Sequence, residues 1–144
     1  MLKPNLNKLF SISFNEWLNE NEDVSEWIEI NRYKGSDGGY YIDYALKGNR
    51  RNGLLTVEVD SKNGYRVRNI FVSKSMQRQG CAINGYDMLN NLSIKDGGKP
   101  LRSSEIGYNK ESSVTSLSPE SEGVWKKLIS IGKARQDGDH YVFI

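Results

Sequence analysis

Residues 77–82 read Gln-Arg-Gln-Gly-Cys-Ala, and they sit where an apolar run, Ile70-Phe71-Val72, gives way to a segment of helical spacing. A strand that enters a glycine turn and then a helix leaves several backbone N–H groups unpaired and pointing one way. The helix dipole adds partial positive charge at the same place. Gly80 permits close approach of a phosphate, Ala82 keeps the first turn uncrowded, and Gln77 and Arg78 bring side-chain donors, Arg78 with a charge. The stretch is therefore either a glycine-capped turn or a seat for a pyrophosphate. Cys81 lies just inside it, as a small buried residue or as a thiol whose pKa a helix N-terminus would lower.

The elements that would position this junction follow from spacing. Ser13 and Glu16 have capping-box spacing and predict a short helix with Phe14, Trp17 and Leu18 on one side. Asp23 and Glu26 predict a second, bearing Val24, Trp27, Ile28 and Ile30, which the Gly-Ser-Asp-Gly-Gly run at 35–39 stops. Three strands are expected at 40–47, 54–60 and 65–72, joined by turn residues that favour consecutive antiparallel pairing. Ile83, Tyr86, Leu89 and Asn90 then fall at helical spacing as far as Asp-Gly-Gly at 96–98. A short strand is expected near 99–104, and a polar, Ser-rich loop after it. A helix starting at Ser118-Pro119-Glu120 carries the apolar stripe Val124, Trp125, Leu128, Ile129 and Ile131, and a terminal strand begins at His140. The expected class is α+β: a mixed, mainly antiparallel sheet flanked by helices. One domain spans 1–144, with a helical part at 1–38, strands, loop and helix at 39–104, a loop at 105–118 and a closing helix and strand at 119–144.

In that context Gln77-Arg78-Gln79-Gly80-Cys81-Ala82 resembles the Q/R-x-x-G-x-G/A signature of the GNAT acyltransferases, N-acetyltransferases that bind acetyl-CoA. The resemblance extends over about residues 40–144, and the ending from Leu117 to Ala134 is similar to small acetyltransferase-like proteins of bacteriophages. It implies a GNAT-like acyl-CoA N-acyltransferase fold. It also implies that Gln77, Arg78, Gln79, Gly80, Cys81 and Ala82 hold the pyrophosphate, while the strand edge at Phe71 and Val72 pairs with the pantetheine arm. An amine of a protein or small molecule would attack the thioester directly, which requires positioning, an oxyanion donor, a base and an acid. The carboxylate that the family often places on the strand before the loop is missing here. Glu58 and Asp60, one strand earlier, are the substitutes, unless they form a solvated outward face. The Tyr that many relatives use as the acid is matched by Trp125, which reads as a core residue, so Tyr108 and Tyr141 are the candidate acids. The missing groups keep a second reading open: a catalytically impaired binding protein on the same fold, which inhibits or redirects a host factor.

Composition narrows the other classes. The formal charge is +2 over 144 residues, and there are one Cys and one His. A single Cys excludes an intrachain disulfide and a thiolate cluster, and a single His, His140, excludes an ordinary His-rich zinc site, so no metal is expected. Arg50, Arg51, Arg66 and Arg68 raise nucleic-acid binding. The near-balanced charge and the lack of interleaved aromatic residues argue against it. No apolar run approaches membrane-spanning length, and a cytoplasmic protein is expected, in the host cytoplasm if phage-encoded.

Overall fold

The computed structural model describes residues 26–60, 62–77, 79–106 and 117–144. Four antiparallel strands run in sequence order: β1 (Trp27–Lys34), β2 (Tyr40–Leu46), β3 (Gly53–Val59) and β4 (Arg66–Val72). A 3-10 turn at Lys74–Met76 leads into α1 (Cys81–Gly97). After the segment 101–106 come α2 (Pro119–Ser130) and the hairpin β5 (Ala134–Asp137) and β6 (His140–Phe143). The class is α+β, with antiparallel sheets and two helices.

The strand at Trp27–Lys34 corrects the expectation of a helix bearing Trp27, Ile28 and Ile30, and with it the helical reading of 26–34. Its register against β2 shifts between Glu29 and Asn31, leaving Ile30 as the extra residue of a bulge. Trp27 and Glu29 therefore share a sheet face with Arg32, and the bulge erases the two-residue alternation by which a strand is recognised. The helix expected from Ser13 lies outside the described residues, as do Arg78 and Tyr108.

One sheet face carries the core. Ile42, Tyr44, Leu46, Leu55, Val57, Val67 and Ile70 pack with Tyr86 and Leu89 of α1 and with Trp125 and Leu128 of α2. Trp125 is fully buried, edge-on to Tyr86 at 5.4 Å and Phe143 at 5.6 Å and stacked on Tyr141 at 6.1 Å. Its indole N–H has no hydrogen-bond partner. Each helix begins with its own chemistry. Gly80 caps α1 in the left-handed region at φ 77°, whereas Ser118 caps α2 by accepting from the Ser121 N–H, with Pro119 next and Glu120 and Glu122 in the first turn.

Residues 101–106 join the two sheets. The Arg102 N–H donates to the Tyr65 carbonyl and the Val67 N–H to the Arg102 carbonyl, a parallel seam, both at 3.0 Å. On its other side the segment pairs antiparallel with β6, the Phe143 N–H donating to Leu101 and the Ser103 N–H to Tyr141. Parallel neighbours need a long crossover, which α1 supplies.

The core role of Trp125 is testable. Trp125→Ala is expected to cost about 3–5 kcal/mol in chemical denaturation. Trp125→Phe should cost clearly less, because it keeps most of the ring packing and removes the orphaned donor.

Candidate functional site

The junction from β4 to α1 is held in place by two groups. The Trp27 indole N–H donates to the Cys81 carbonyl at 2.9 Å, and the ring lies against Gly85, where an added Cβ would come within 2.8 Å of Nε1. The strand residue misread from the sequence is thus what pins the start of α1. At the far end, Ser93 accepts from the Tyr65 N–H at 2.8 Å and donates to the Lys99 carbonyl at 2.6 Å, and Asn90 accepts from the Leu101 N–H. Polar groups on α1 thereby fix where β4 and residues 101–106 begin.

From that common origin the two segments part. Ser104 Oγ donates to the Val67 carbonyl at 2.9 Å, and beyond Val67 no hydrogen bond joins them among the described residues. Ile106 and Leu117 instead take backbone partners at Asp139 and Glu105. The Ser73 N–H donates to the Asn52 carbonyl, which sets the phase of the β3–β4 ladder. The pleat then turns the backbone of Asn69 and Phe71 toward β3, and that of Ile70 and Val72 toward the gap. The Val72 carbonyl accepts from Gln77 Nε2 at 2.9 Å, in keeping with that phase.

Beside the end of β4 on that side lies a cleft of about 370 Å³ lined by Ile70, Phe71, Val72, Gln77, Ala82, Glu120 and Val124. A smaller hollow of about 140 Å³ adjoins it beneath the loop, reaching Met76, Gly80, Cys81 and Ile83. The expected cofactor-side residues Phe71, Val72, Gln77, Gly80, Cys81 and Ala82 are therefore brought together. Gly80 is exposed, and a Cβ built on it would meet nothing within 4 Å, so a ligand has room to approach its backbone. Gln77 and Gln79 spend their side-chain N–H groups on the loop itself, Gln79 on the Ser75 carbonyl at 3.1 Å. They shape the turn rather than reach out of it.

The expected catalytic residues lie elsewhere. Glu58 pairs across the sheet with Arg66, ~20 Å along the strands from Val72. Its carboxylate is 3.4 Å from Arg66 Nε and 3.3 Å from an Arg68 nitrogen. Asp60 accepts from the N–H groups of Lys62 and Asn63 and lies 3.5 Å from Arg102, and the backbone bonds help hold its carboxyl low against the opposing effect of burial. Tyr141 is buried on Trp125, its hydroxyl 3.5 Å from Glu122. His140 Nδ1 lies 3.1 Å from the carboxylate of its neighbour Asp139.

Of the two readings of Cys81, the structure agrees with the small buried residue and not with a thiol of lowered pKa. The side chain is buried at the foot of the loop, and desolvation pushes the thiol up. Among the described residues no group of three or more His, Cys, Asp or Glu is arranged to hold a metal, and no helix is long and apolar enough to cross a membrane. The chain matches no protein-family profile, no curated protein and no solved structure.

The Cys81 environment has a direct readout. At pH 8 the folded protein should react with a thiol-specific disulfide reagent far more slowly than the same chain in denaturant, where the thiol returns to its ordinary value. Equal rates would mean an accessible, ordinary thiol.

Proposed function

We propose that the cleft binds acetyl-CoA on a GNAT-like fold and that the protein transfers the acetyl group to an amine. The single observation that carries the reading is the parting of β4 from residues 101–106. It leaves the Ile70 backbone groups and the Val72 N–H facing a cleft that runs to a helix start with no side-chain cap. An extended, amide-bearing arm can add to such an edge as a further strand. The glycine-capped start of α1, open above Gly80, suits a pyrophosphate at the end of that arm. The backbone N–H groups at the start of α1 and the open space above Gly80 support this reading.

The chain's contribution to the reaction is then mainly positional. The β4 edge holds the arm, the seam at Val67 and Ser104 limits how far it advances, and the walls of Phe71, Ala82 and Val124 exclude water. The amine nitrogen attacks the thioester carbonyl carbon, the carbon–sulfur bond breaks, and the amine proton leaves to solvent or a base as the released thiolate takes a proton. Neither Glu58, held between two arginines, nor the buried Tyr141 lines the cleft in which the amine would react.

Those two placements favour a second reading at the same site: a binding protein that holds the CoA-like ligand without efficient transfer. A thermal-shift titration separates the outcomes. Acetyl-CoA at about 100 times its dissociation constant should add ~2.7 kcal/mol of stability. Gly80→Glu, which sets a carboxylate where phosphate would sit, should abolish the shift while leaving the far-UV spectrum unchanged. No shift at saturating acetyl-CoA sinks both readings. A shift without thiol release across a panel of amines selects the binding protein.

A further inference from the structure

Of the seven residues that line the cleft beside β4, Glu120 alone has an ionisable side chain. It is exposed, and among the described residues its carboxylate has no hydrogen-bond or ion-pair partner. Its neighbours on the helix are engaged. Ser121 is buried against the Tyr86 hydroxyl at 2.8 Å, and Glu122 lies 3.8 Å from Lys126 and 3.5 Å from the Tyr141 hydroxyl. Val124, one turn on from Glu120, lines the same cleft, so one face of α2 forms part of its wall.

The seam fixes where along the cleft that wall begins. The Leu117 N–H donates to the Glu105 carbonyl at 2.8 Å, which ties the entry of α2 to the segment 101–106. That segment runs parallel to β4 with Arg102 beside Arg66, so equal steps bring Glu105 level with Asn69, just past the seam. The chain therefore enters α2 from the end of the cleft nearest the seam. Gln77 and Ala82, where the chain has left β4 for α1, mark the other end. An arm laid on the β4 edge with its pyrophosphate at Gly80 brings its thioester toward Glu120.

Acetyl transfer makes two proton demands at that end. The attacking nitrogen becomes acidic as it bonds to the carbonyl carbon and must lose a proton, and the departing sulfur must gain one. A carboxylate can meet both in turn, because a carboxyl group is a stronger acid than a thiol and gives its proton up to a thiolate.

We propose that Glu120 carries the proton in this transfer, an inference that rests on the reading of the cleft as an acetyl-CoA site. Its carboxylate takes the proton from the amine nitrogen as the carbon–nitrogen bond forms. It returns that proton to sulfur as the carbon–sulfur bond breaks, so amine and acetyl-CoA become amide and CoA with no further reactant. The roles expected of Glu58 and Tyr141 then fall to one side chain.

The test combines the acetyl-CoA thermal shift with thiol release by the full chain over a panel of primary amines. Glu120→Gln should keep the thermal shift and the KM for acetyl-CoA and lose about 10²–10⁴-fold in kcat. Glu122→Gln, which removes a carboxylate from the same helical turn, should leave kcat unchanged. Formate should restore part of the rate of Glu120→Ala in a saturable way, which no structural role of the side chain would produce. Unchanged kcat in Glu120→Gln, loss of its thermal shift, an equal fall in Glu122→Gln, or no formate rescue each overturns the proposal. So does a wild-type chain that shifts with acetyl-CoA and releases no thiol. In all of these the acetyl-CoA site itself stands, whereas a wild-type chain with no thermal shift removes that site and the proposal with it.

Discussion

Two backbone hydrogen bonds at Arg102 carry the architecture. They tie the four-stranded sheet to the β5–β6 hairpin through a parallel seam at Tyr65 and Val67. Because the seam is short, it creates a shared origin from which β4 and residues 101–106 diverge. The cleft lies along the β4 edge beyond that origin, where the backbone of Ile70 turns away from β3. A longer seam would close the gap, and without it the hairpin, with α2 packed on it, would lose its backbone link to the sheet.

The seam in turn depends on α1, which is more than a covering layer. Ser93 and Asn90 take hydrogen bonds from Tyr65 and Leu101, the residues on either side of the seam. Tyr86 reaches Ser121 on α2 at 2.8 Å, so one helix face brackets both the strand origins and the second helix. At the other end Trp27 holds the Cys81 carbonyl, and Gly85 has no side chain to keep the ring away. These are buried polar contacts with their partners in place, the condition under which such groups specify one arrangement rather than destabilise it.

The two faces of the sheet divide the physics. The helix side is apolar, with Leu55, Val57 and Leu89 fully buried, and it supplies stability. The opposite side carries Tyr41, Asp43, Thr56, Glu58 and Arg68, a network of hydroxyls, carboxylates and guanidiniums under a glycine-rich turn.

Local signals in the sequence determined the strands at 40–46, 53–59 and 66–72, both helices, the cap at Ser118 and the glycine junction at 80, because each rests on periodicity or a turn residue acting within a few positions. They also determined that Trp125 belongs in the core, since it sits on an apolar stripe. Only the tertiary structure decided that Trp27 begins a strand. The bulge at Ile30 breaks the alternation, and the strand is defined by its partner β2 rather than by its own pattern. Only the tertiary structure, too, turned Gln77 and Gln79 back onto their own loop and tied Glu58 to two arginines. A residue's type states what it can bond. Its partners come from segments far off in the chain, and their approach is a property of packing that spacing does not encode.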